Sequence, residues 1–146
     1  MAIKEIACCT DFSENAQEAV MTAIEMTEKY KADLSIIHVL PPVINPMFAE
    51  AALMLSDEPK ESLLLNLEEQ MQKEYGAKIG EHIKYDLVVL DGHVSTEILE
   101  YLKENQTDVV VMGSYGLSGM GLVVFGSVAK RITHKAPCSV MIVRKN

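Results

Sequence analysis

Val109-Val110-Val111-Met112-Gly113-Ser114-Tyr115-Gly116-Leu117-Ser118-Gly119-Met120-Gly121-Leu122-Val123-Val124-Phe125-Gly126-Ser127 joins two elements of different period. Val109–Met112 is a short β-branched run with no polar position, as in a parallel strand buried on both faces. Beyond Gly126, Val128, Ala129 and Ile132 share one face of a helix stopped before Pro137. Five of the chain's eight glycines fall between 113 and 126, where positive φ or close backbone approach is tolerated. A strand, a glycine-rich turn and a helix N-terminus in succession form an anion seat. The free N–H groups and the positive dipole end favour phosphate, and the Ser127 hydroxyl is a further donor. The competing reading is a connection whose glycines only turn corners.

Outward from this segment the same alternation recurs. Ile3–Cys9, Leu34–Val39, Tyr85–Leu90 and Ser139–Val143 read as the other strands. Ala16, Ala19, Val20, Ala23, Ile24 and Thr27 line one face of a first helix, with Asp11 and Glu14 spaced as a capping box. Leu64, Leu67 and Met71 line a second helix ended by Gly76, and Ile98, Leu99 and Leu102 a third capped by Ser95. This order predicts a single-domain, doubly wound α/β fold with a parallel sheet and helices on both faces. Its length of 146 residues suits one domain, 1–146. The one long connection, 40–59, carries four prolines and a Met47/Phe48/Ala51/Ala52/Leu55 pattern. It reads as a lid or binding loop, or alternatively as an interface patch.

Charge and composition narrow the function. The net charge is −8, yet all 21 acidic residues precede Val109 and the remaining 38 residues carry five cations. An acidic whole disfavours nucleic-acid binding. The prolines and Glu50 interrupt the longest apolar stretch, so no membrane span is expected. The first residues lack a secretory pattern, and three cysteines make no paired framework, which points to a cytoplasmic protein. Cys8, Cys9 and Cys138 read as small apolar residues in strands, with Cys8 and Cys9 on opposite faces. His38, His82, His93 and His134 have no metal-ligand spacing, so no metal site is expected.

Familiar phosphate motifs are absent. Gly121 to Ser127 lacks the P-loop lysine, and no G-x-G-x-x-G follows a strand. No catalytic residue emerges. In an open α/β sheet the ligand crevice lies beyond the strand ends where winding reverses. Here that places Thr10-Asp11 opposite Gly113-Ser114. Asp11 either meets a base or ribose, or serves only to cap the first helix.

The whole chain resembles the universal stress protein family. The resemblance rests on Thr10-Asp11-Phe12-Ser13-Glu14, His38-Val39, Ala136-Pro137-Cys138-Ser139-Val140 and, above all, Gly113-x-x-Gly116 followed after nine residues by Gly126-Ser127. That spacing is similar to the family's ATP-binding branch. It implies a five-stranded sheet in order 3-2-1-4-5 and a homodimer paired through the last strand. It further implies a regulatory stress-response role with bound ATP, ADP or AMP, and a divalent ion such as Mg2+ on the phosphates. Carried over by position, Asp11 and the Val39 backbone would meet adenine. Thr10, Met112 and Gly113 would lie near ribose and phosphate, with Ser114 beside them. Gly116, Gly126, Ser127 and Val128 would hold the phosphates. Tyr115 and Leu117 replace the family's frequent His and Arg or Lys, and no charged residue stands between Met112 and Val128. Weaker or more selective binding is therefore expected, with AMP or ADP competing with ATP. A slow ATPase, a nucleotidyl-transfer relative or a ligand-free dimerisation scaffold are the alternatives.

Overall fold

A computed structural model describes residues 2–40, 60–114 and 126–145. The strands are β1 (Glu5–Cys9), β2 (Asp33–Leu40), β3 (Tyr85–Asp91), β4 (Val109–Gly113) and β5 (Ser139–Val143). The helices are α1 (Glu14–Tyr30), α2 (Lys60–Glu74), α3 (Val94–Glu104) and α4 (Ser127–Lys135). All strands pair in parallel, in order β3-β2-β1-β4-β5. The predicted α/β class and strand order are therefore observed.

Alternation along the strands divides the core in two. Ile6, Cys8, Leu34, Ile36, Val109 and Val111 face α1 and α2, where Ala19, Val20, Ala23, Met71 and Tyr75 meet them. Ala7, Ile37, Val39, Val110 and Met112 face α3 and α4, against Ile98, Leu102, Ala129 and Ile132. Cys8 and Cys9 accordingly serve opposite faces. The six residues expected on the inner face of α1 are all buried, as its period of 3.6 requires. Burial on both faces holds for β1 and β4 but not for the edges: β3 and β5 have no buried residue, because each has a neighbour on one side only.

Several local expectations are corrected. The first strand begins at Glu5, since Lys4 and Glu5 instead give their N–H groups to the Asp108 carboxylate, each at 2.9 Å. Ser13, not Asp11, caps α1 by accepting the Ala16 N–H, which puts Glu14 in the first turn, where it pairs with Lys145. Ser95 lies inside α3; His93 holds the N-cap position without a side-chain capping bond. Cys138 precedes β5 rather than lying in it.

The Asp108 clamp joins the starts of β1 and β4 across 104 and 103 positions of sequence. The two backbone N–H groups hold its carboxyl below the usual carboxylate range. A carboxyl with a lowered folded pKa stabilises the protein above its unfolded value and loses that contribution as pH falls through the folded one. Asp108→Asn should therefore flatten the stability profile below about pH 4. Thermal melts between neutral and acidic pH check this, and an unchanged acid slope contradicts it.

Candidate functional site

The β1–α1 turn is built by short polar side chains closing on their own backbone. Thr10 Oγ1 accepts the Phe12 N–H at 3.0 Å, and Asp11 Oδ1 accepts the Ser13 N–H at 3.0 Å. These bonds hold Phe12 at φ 65°, an uncommon conformation for an aromatic residue. The ring is wedged between His38 and Tyr75, with centroids 4.7 and 5.9 Å away. Tyr75 is buried, its hydroxyl 2.6 Å from Thr10 Oγ1. Burial pushes the phenol up to about 12, against the opposing pull of the Thr10 hydrogen bond.

His38 approaches from the end of β2, with Nδ1 2.9 Å from the Thr10 carbonyl. A carbonyl only accepts, so Nδ1 carries a proton and donates it to Thr10. Across the switch point, β4 ends at Gly113. A Cβ there would lie 3.0 Å from both the carbonyl carbon and oxygen of Asn15 in α1. Glycine thus permits a close strand–helix approach, a packing role independent of any ligand. Gly113→Ala should cost about 1–3 kcal/mol by overpacking, read as a lowered urea midpoint; an unchanged midpoint contradicts that role.

The Gly126 N–H bonds the Ser114 carbonyl at 3.3 Å, tying the start of α4 to the end of β4. Gly126 occupies the N-cap position without a side-chain cap, and an added Cβ would meet nothing within 4 Å. The first-turn N–H groups have no partner within the helix by construction. Ser114 is buried, 4% exposed, and its Oγ is the one buried side-chain polar atom among the described residues without a hydrogen-bond partner.

These strand ends enclose a cavity of about 430 Å3, within the range of small-ligand sites. Thr10, Asp11, Val39, Met112, Gly113, Ser114, Gly126, Ser127 and Val128 all line it. Gly116 lies outside the described residues, as does the 40–59 segment read as a lid or interface except for Leu40, which ends β2. Thr10 contributes less freely than expected, because its hydroxyl already serves Tyr75 and Phe12. Cys9, Ala16, Ile37, His38, Val94, Ile98 and Ala129 complete the lining. Of these, His38 carries the chemistry that sequence reasoning missed; its adjacency to Val39 at a strand end was the available signal. The Cys9 thiol is pushed up to about 12, first by burial and then by nearby Cys138, which disfavours its thiolate. No group of three His, Cys, Asp or Glu among the described residues is arranged to hold a metal.

A doubly wound α/β sheet thus carries a cavity at its switch point, floored by β1 and β4 and met by a helix N-terminus, where ligands sit in open α/β sheets. Residues 2–144 match the Universal stress protein family model, and the chain belongs to that family. Universal stress protein MJ0531 of Methanocaldococcus jannaschii is 32% identical over 148 residues, spanning 97% of this chain and 82% of the relative. Two solved structures share the fold. A universal stress protein in complex with cAMP aligns with a TM-score of 0.68 at 20% identity, over 99% of this chain and 98% of that one. The Archaeoglobus fulgidus universal stress protein in complex with dAMP gives 0.67 at 18% identity, over 97% and 98%.

Proposed function

We propose that this protein binds ATP or a related adenine nucleotide in the β1/β4 cavity and acts as a regulatory rather than a metabolic component of a stress response. The observation that carries the reading is the convergence on one cavity of Asp11, the Val39 strand end, Ser114 and the start of α4. Adenine would lie between Asp11 and the Val39 backbone. Ribose and the first phosphate would lie beside Met112, Gly113 and Ser114, leaving the amides of Ser127 and Val128 for phosphate oxygens. The cAMP and dAMP complexes of two proteins of the same fold support the choice of an adenine nucleotide as ligand. A divalent ion would enter on the phosphates, since Asp11 is the sole carboxylate among the described lining residues.

Occupancy would bias conformation or the contacts of a homodimer formed through β5. That strand is an edge, with Met141 39% exposed, and an open edge suits pairing with a second copy. Isothermal titration of the purified chain with ATP, ADP, AMP and GTP tests the reading. Saturable binding of adenine nucleotides is expected, and no binding up to millimolar concentration refutes it. Mass spectrometry of the supernatant after denaturing freshly purified protein shows which nucleotide travels with it.

A further inference from the structure

The charge around the cavity is unusual for a phosphate site. Asp11 is its sole carboxylate and there is no Lys or Arg among the described residues lining it. With no Lys or Arg among the described lining residues, attraction for phosphate rests there on the α4 N-terminus, worth roughly half a positive charge, and on hydrogen-bond donors. Ser114 joins these two features. Its carbonyl holds the Gly126 N–H, whereas its hydroxyl, on a residue that lines the cavity, finds no partner among the described residues. Rotation about a single bond reorients a serine hydroxyl, which a phosphate oxygen can then recruit.

We infer that the cavity selects adenine nucleotides bearing a single phosphate group over the triphosphate, and that the Ser114 hydroxyl is the donor fixing this preference. The inference rests on the nucleotide reading above and narrows it to a ligand class. One phosphate monoester carries roughly −1.5 to −2 charges at neutral pH, and each further phosphate adds negative charge that no Lys or Arg among the described lining residues offsets. The second and third phosphates would thus forfeit hydration without gaining an ionic partner. A monoester and a cyclic diester share the required chemistry, and separate titrations distinguish them.

Calorimetric titration of the full chain with AMP, cAMP and ATP in EDTA tests the proposal. AMP, cAMP or both should bind at least about tenfold more tightly than ATP, and saturating Mg2+ should narrow the gap by screening the triphosphate. ATP binding as tightly as the better single-phosphate ligand, or a gap that Mg2+ leaves unchanged, overturns the charge argument while leaving nucleotide binding intact. Failure of all three ligands to bind overturns the underlying reading, and this inference with it. Ser114→Ala should weaken the preferred ligand about tenfold and leave adenosine unaffected. Ser114→Cys, which keeps the shape but weakens the donor, should do the same. Retention of full affinity in either folded variant, verified by its melt, removes Ser114 from the role.

Discussion

Gly126→Asp should abolish adenine-nucleotide binding without harming the fold. Gly126 stands at the N-cap of α4 with ordinary φ and ψ of −55° and 152°, and a Cβ would meet nothing within 4 Å. An aspartate is therefore accommodated there, and as a good N-cap residue it should hold or slightly raise the melting temperature. Its carboxylate would sit where the phosphate is proposed to rest. Two like charges about 4 Å apart at an effective dielectric constant of about 20 repel by about 4 kcal/mol. Discounted for solvent, that still corresponds to a loss of at least about 100-fold, since each tenfold is about 1.4 kcal/mol. Calorimetry and a thermal melt on the same preparation separate the two effects. Undiminished affinity in a folded Gly126→Asp protein would remove the phosphate from the start of α4.

Leu102→Ala should produce a large loss of stability. Leu102 is fully buried on α3 and belongs to the cluster covering the face of the sheet that also carries the cavity. Truncation loses the transfer energy of the side chain and leaves a void that rigid strand neighbours such as Val110 fill poorly. Comparable substitutions cost about 2–5 kcal/mol. Urea denaturation should show a lower midpoint with an unchanged slope, whereas Leu99→Ala, half-buried on the same helix, should lose less. Ligand linkage adds a second readout: a nucleotide at 100 times its dissociation constant restores about 2.7 kcal/mol. A Leu102→Ala protein as stable as the parent contradicts the packing, and one that gains nothing from nucleotide contradicts binding to the native state.

The two predictions draw on different levels of the molecule. The first follows from a glycine whose place before a helix is visible in the spacing Gly113-x-x-Gly116 and Gly126-Ser127. The second depends on which helix covers which face, and the alternation of β-strand side chains settles that only once the sheet is assembled. Asp11 illustrates the boundary between them. Sequence spacing points to Asp11 as the cap, because Glu14 follows it by three residues. The tertiary turn decides for Ser13, because Phe12 is held at positive φ between His38 and Tyr75 and Asp11 is engaged by the Ser13 N–H.

From its amino acids alone this chain determines its α/β class, the inner face of α1, the sheet order implied by family resemblance, and the two strand ends that bound the cavity. Each depends on short-range periodicity or on motif spacing, which survive without knowledge of distant contacts. Only the tertiary structure decides that Tyr75 takes the Thr10 hydroxyl across 65 residues, that Asp108 clamps the start of β1, that His38 joins the cavity, and that Ser114 keeps a buried hydroxyl without a partner among the described residues. These depend on which groups the folded backbone brings within hydrogen-bonding distance, and no local pattern of residues encodes such a distance.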